Sequence, residues 1–253
     1  MSEQVSVEVG PSGGPVAVKR ATDAAGRARL RHEAELLEAA RSPGVVELIA
    51  FADDDGGAVL STSWLGGGTL ESSTLPPKKL ATAGAALALT MAALHERGIV
   101  HGRITGDHVL LDSAGRPVLA GFADASTAAG PAAAADDVRS LGELVTSKLP
   151  DAAPSVLKLR AQTADAEIVE RIRAIASRAT DADPSRRPSA RAFAGLLAEL
   201  SGATTTTTGP IPLGRPHPAS ATPPHPLAPA FDAAKSLFGG ARSPMARWEA
   251  GWP

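Results

Sequence analysis

The opening 62 residues alternate short β-type runs with turns, and this order allows few architectures. QVSVEV and PVAVKR, at 4–9 and 15–20, read as strands joined by the turn GPSGG. The segment from Thr22 to Arg41 then reads as a helix. It opens on a Thr22 or Asp23 cap, and Leu30, Ala34, Leu37 and Ala40 recur at helical spacing. Val45 to Ala52 reads as a buried strand, DDDGG as a turn, and Ala58 to Thr62 as the next strand. Strands interrupted by one helix, followed by helical sequence, predict an α+β fold.

Leu80 to Arg97 is a long apolar helix. Its most apolar part, Ala81 to Leu94, is interrupted by Thr82, Gly84 and Thr90, and is too short and Ala-rich to span a bilayer, so it is expected in a core. The formal net charge of −2 steers the chain toward neither nucleic acid nor a membrane. Cysteine is absent, which removes disulfides, thiol chemistry and cysteine-based zinc sites. MSEQVSVEVG has no basic segment followed by an apolar one, so no signal peptide is expected and the predicted location is cytoplasmic. The length suits one domain plus a tail.

The chemistry-bearing stretch is HGRITGDHVLLDSAGRPVLAGF, His101 to Phe122. Five other fragments stand around it in order: PVAVKR with Lys19, a helix with Glu33, SWLGGGTL at 63–70, DDVRSLGELV at 136–145, and DADPSRRPSARAFAGLL at 181–197. Together they resemble the protein kinase superfamily, in its bacterial serine/threonine form, over roughly residues 5 to 200. That family writes V-A-I-K, H-R-D-L-K-P-E-N-I-L-L, a β-hairpin and D-F-G. The resemblance implies a two-lobed protein-kinase-like fold. Residues 1–65 would form a truncated β-sheet small lobe, and 66–200 a mainly helical large lobe ending in two helices over 181–197. The first strand and Gly-rich lid of the small lobe have no counterpart, since QVSVEV and PVAVKR match the second and third strands. GPSGG does not fit G-x-G-x-x-G.

In that register His101, Ile104, Val109, Leu110, Leu111 and Phe122 fit, and the chemical positions do not. The catalytic Asp is Arg103, the Lys is Thr105, the metal-holding Asn is His108, and the metal-holding Asp is Gly121, followed by Ala123. A guanidinium stays protonated and accepts no proton. Gly121 offers no ligand, and His108 is a poor one for magnesium. Asp107 and Asp124 are the nearby carboxylates, read either as solvated loop residues or as displaced ligands. The resemblance therefore implies a degenerate pseudokinase with no catalytic residue and no metal site, acting as a binding scaffold in Ser/Thr phosphorylation signalling. The alternatives are a module that senses ATP without magnesium and a weak atypical kinase.

Other roles carried by the resemblance are structural. Leu37, His101 and Phe122 would stack in an apolar column, and Asp137 would accept backbone hydrogen bonds from the HGR loop. Lys19 and Glu33 would form an ion pair that either holds the helix or, with Ser63 and Leu65 of the hinge, binds a nucleotide. The stretch between Phe122 and Asp137 is short for a full activation segment. Arg187 should therefore find another carboxylate or solvent.

From Ser201 the composition changes to Thr and Pro, which predicts disorder for 201–253. FDAAKSLF, 231–238, has the pattern of a short helix, and Trp248 and Trp252 close the chain. These aromatics read either as anchors or as an idle terminus. Thr204, Thr205, Thr206, Thr207 and Thr208 read either as a linker or as sites for an active partner kinase, to be bound by a phosphothreonine-binding domain of the forkhead-associated kind.

Overall fold

Valine alternating with small and polar residues makes the first two runs pair across their glycine turn. In the computed structural model, which describes residues 5–128, 130–150 and 162–201, β1 (Val5–Val9) and β2 (Pro15–Ala21) are antiparallel. Val5 lies opposite Lys19 and Val9 opposite Pro15. β3 (Leu48–Asp54) and β4 (Gly57–Ser63) form a second hairpin, and β4 pairs antiparallel with β2. Among the described residues the sheet order is β1-β2-β4-β3, with β1 and β3 as its edges.

Between the hairpins lies α1 (Ala24–Ala40). Asp23 is its cap, accepting from the Gly26 amide at 2.9 Å and so satisfying one of the orphan donors of the first turn. Leu30, Ala34, Leu37 and Ala40 are all buried, as their spacing predicts, together with Glu33 and Leu36. This face packs on β2, β3 and β4. The strand expected from Val45 begins only at Leu48. Val45 and Val46 turn instead toward β6 (Pro117–Leu119): the Val46 amide donates to the Leu119 carbonyl at 2.9 Å, and the Leu119 amide to Gly44 at 2.8 Å. Those valines are buried by bridging the sheet to a second, smaller hairpin.

That hairpin is β5 (Val109–Leu111) with β6, Val109 opposite Leu119. The remaining elements are helical: α2 (Pro77–Glu96), α3 (Pro131–Ser147), α4 (Gln162–Ala179) and α5 (Ala190–Ser201). α2 is central and contacts the other three. Its many alanines let α5 approach closely, with Ala88 and Leu197 both fully buried. Where two helices are expected in 181–197, there is a 3-10 turn, Pro184–Arg186, followed by α5. Pro188 explains this, because the residue before a proline is pushed out of the helical region. α4 occupies a stretch to which the sequence reading assigned no element.

Among the described residues, no helix is long and apolar enough to cross a membrane. The expectations for 201–253, including the threonine run and the 231–238 helix, lie outside the described residues.

Candidate functional site

The loop His101 to Arg103 follows α2 by a few residues, and one carboxylate organises it. Asp137, in the second turn of α3, is buried. It accepts from the His101 amide and the Gly102 amide at 2.8 Å each, and from His95 Nε2 at 2.9 Å. The two backbone bonds are those expected of Asp137; His95, at the end of α2, is an additional donor. Gly102 has φ +78, and a Cβ there would stand 2.4 Å from the Asp124 carbonyl oxygen, so the loop passes where only glycine fits.

His101 is fully buried in an edge-to-face contact with Phe122, ring centroids 4.8 Å apart. A carbonyl accepts only, so His101 Nε2 carries the hydrogen that it donates to Ala120 at 2.9 Å. Burial pushes its pKa below the ordinary value and keeps the ring neutral. Leu37 belongs to the same core, and α1 packs on the 3-10 turn Phe122–Asp124.

Gly121, His108 and Arg103 are arranged in a specific way. Gly121 adopts φ +77, and a Cβ there would lie 2.5 Å from His108 Cδ2. His108 is held in this place by donating from Nδ1 to the Arg103 carbonyl at 2.8 Å. Its imidazole thus lies over Gly121, in the space that a carboxylate side chain would enter. Arg103 Nη1 faces Asp124 Oδ2 at 3.6 Å, both side chains substantially exposed. Asp107 is exposed in the 3-10 turn Gly106–His108. The donor set does not fit a magnesium ion. Gly121 supplies no side-chain oxygen, His108 is turned to a backbone carbonyl, and a guanidinium neighbours Asp124. Among the described residues, no group of three or more His, Asp or Glu side chains is placed to hold a metal.

Lys19 and Glu33 do meet: Nζ donates to both carboxylate oxygens, at 3.0 and 2.9 Å. Glu33 is 2% exposed and Lys19 20%. The β register puts Lys19, Ala17, Leu60, Thr62, Val5, Val7 and Val9 on one face of the sheet. Ser63 and Leu65 are not brought to this pair. Ser63 pairs with Val16, on the opposite face, and Ser63 and Leu65 line a groove of about 490 Å³ with Leu37, Arg41, Asp112 and Arg116. Lys19→Met leaves Glu33 buried without its cation. It is expected to lower stability by about 2 kcal/mol, more than an exposed pair would contribute. Urea denaturation checks this, and a loss below about 0.5 kcal/mol would show that Glu33 finds water or another donor.

Arg187 finds a carboxylate, as expected. Its Nη1 pairs with Asp136 at 2.6 Å and donates to the Ala135 carbonyl at 3.2 Å, while Nε donates to the Asp181 carbonyl at 2.8 Å. Two histidines were not singled out by sequence. His95 could have been noticed as the basic residue in the last turn of α2. His32, which donates from Nε2 to the Ala125 carbonyl at 2.8 Å, sits beside Glu33 with no sequence signal.

No protein-family model matches this chain, and no curated protein matches it.

Proposed function

We propose that this chain is a degenerate member of the protein kinase superfamily that has lost phosphoryl transfer and acts as a binding and regulatory scaffold in Ser/Thr phosphorylation signalling. In this reading the sheet with α1 is the small lobe, residues 1–65, and α2 to α5 with the small hairpin are the large lobe, residues 66–200. The observation that carries it is the packing of His108 over Gly121. The space for a metal-binding carboxylate is filled, not merely empty of ligands. Phosphoryl transfer needs metal across the phosphates and a base for the incoming hydroxyl. Here the base position is Arg103, a permanent cation beside Asp124.

What is retained supports a structural use of the same frame. Asp137 still ties down the loop, His101 and Phe122 still stack, and Lys19 still holds Glu33. Each of these interactions works without a nucleotide. The location proposed is cytoplasmic, and the partners are an active kinase or a phosphothreonine-binding domain that reads Thr204 to Thr208.

A second reading, a sensor that binds ATP without magnesium, is favoured by one observation. Lys19 is partly exposed on the same sheet face as Ala17 and Thr62. One experiment separates the readings, because a bound ligand raises the unfolding temperature. The melting temperature is measured with ATP, with and without magnesium, alongside phosphate transfer to the chain itself and to a basic substrate. The scaffold gives no shift and no transfer. A magnesium-independent shift abolished by Lys19→Met identifies the sensor. Transfer that is lost on replacing Asp107 or Asp124 would establish a weak atypical kinase and end the proposal.

A further inference from the structure

The two edges of the main sheet are built differently. β3 carries a register irregularity between Leu48 and Ala50 and ends in Asp53 and Asp54, with Asp53 paired to Arg27 and Arg31. A bulge and charges are the devices by which natural edge strands discourage pairing. β1, Val-Ser-Val-Glu-Val, has neither a bulge nor a proline. Its only charge is compensated: Arg20 Nη2 donates to Glu8 at 2.7 Å, and Ser6 Oγ donates to the same carboxylate at 2.7 Å. The Arg20 hydrogen bond holds the Glu8 carboxyl below its ordinary pKa. Val5, Val7 and Val9 are 52%, 51% and 76% exposed on one face.

The direction of the free backbone groups follows from the turn. The Gly10 amide donates to the Gly14 carbonyl, and Pro15, opposite Val9, has no amide hydrogen. Hydrogen-bonded and non-hydrogen-bonded pairs alternate along an antiparallel ladder. Glu8 and Ser6 therefore bond inward to Val16 and Val18, and the amides and carbonyls of Val5, Val7 and Val9 point out of the sheet. Valine, a strong strand former, holds every outward-facing position.

We propose that β1 pairs antiparallel with β1 of a second copy of this chain, about a two-fold axis at Val7. The register is self-complementary. Val7 meets Val7, Val5 meets Val9, and each Ser6 hydroxyl faces the partner's Glu8 carboxylate. The valines form one continuous apolar face, and the two sheets join into one. A two-fold interface uses the same patch on both copies, and this strand satisfies that requirement in sequence and in charge. The contact is small beside the roughly 1,600 Å² of a standard stable interface, so association is weak and concentration-dependent. The inference is independent of the proposed scaffold role.

The absence of cysteine in the chain makes a direct test possible. In this register the two Val7 Cα atoms would be about 5.5 Å apart, within disulfide reach. The full chain carrying Val7→Cys is expected to form a disulfide dimer under mild oxidation. Its yield should exceed that of Leu89→Cys, an exposed position on α2, by about tenfold, through the effective concentration that pairing creates. Val5→Cys and Val9→Cys should each cross-link poorly alone and well when mixed. Val7→Lys should abolish concentration-dependent dimerisation in analytical ultracentrifugation and leave the melting temperature unchanged. The proposal is overturned if Val7→Cys cross-links no better than Leu89→Cys, or if Val5→Cys cross-links with itself as well as with Val9→Cys. A chain that stays monomeric throughout a concentration series also overturns it, and leaves the edge to a strand from a different protein.

Discussion

Asp137→Ala is expected to cost about 3–5 kcal/mol of folding stability, a large part of what a domain of this size possesses. Three donors converge on this buried carboxylate: the His101 and Gly102 amides and His95 Nε2. Removing it leaves all three without an acceptor in a place water reaches poorly. The cost of unmade bonds to a buried charge-assisted acceptor exceeds the net gain of making them. Asp137→Asn should fall between, because its one remaining oxygen serves part of the set while its NH₂ faces donors. Guanidinium denaturation of the three proteins gives the order. An alanine variant within about 1 kcal/mol of the parent would mean that the loop is held by other contacts.

Gly121→Asp, which puts there the residue expected from the resemblance to protein kinases, should destabilise the chain by about 2–4 kcal/mol. One part is backbone strain at φ +77, and the other is collision of the new Cβ with the His108 ring. The second part is separable. Adding His108→Ala should recover about 1–3 kcal/mol of the loss by opening the space, a coupling that a double-mutant cycle measures. The single variant should show no magnesium-dependent rise in melting temperature. Equal penalties with and without His108 would show that the ring does not fill the site, and would remove the main support for the proposed function.

Local pattern made much of the architecture legible. The burial of Leu30, Ala34, Leu37 and Ala40 follows from helical spacing, and both main hairpins follow from turn chemistry between short strands. Boundaries shifted where tertiary contacts outweighed propensity. Val45 and Val46 have strand character, yet they serve the bridge to Leu119 rather than the main sheet. In the site, Asp137, Arg187, Lys19 and Glu33 form the contacts expected of them. Ser63 lies on the sheet face opposite Lys19, because three residues along β4 from Leu60 reverse the face. What the sequence did not reveal is the filling of the site. That His108 lies over Gly121 depends on a hydrogen bond to the Arg103 backbone, and backbone acceptors leave no trace in residue identity. His32 also bonds a backbone carbonyl, whereas the partner of His95 is a side chain, Asp137, 42 residues along the chain.

α1 carries two tethers on consecutive residues. Glu33 reaches back to the sheet through Lys19, and His32 reaches to the Ala125 carbonyl, just past Phe122. Successive side chains on a helix point about 100° apart, so the two residues reach different neighbours from the same turn. One turn of α1 thus ties the main sheet to the segment that follows Phe122 through two hydrogen-bonded side chains.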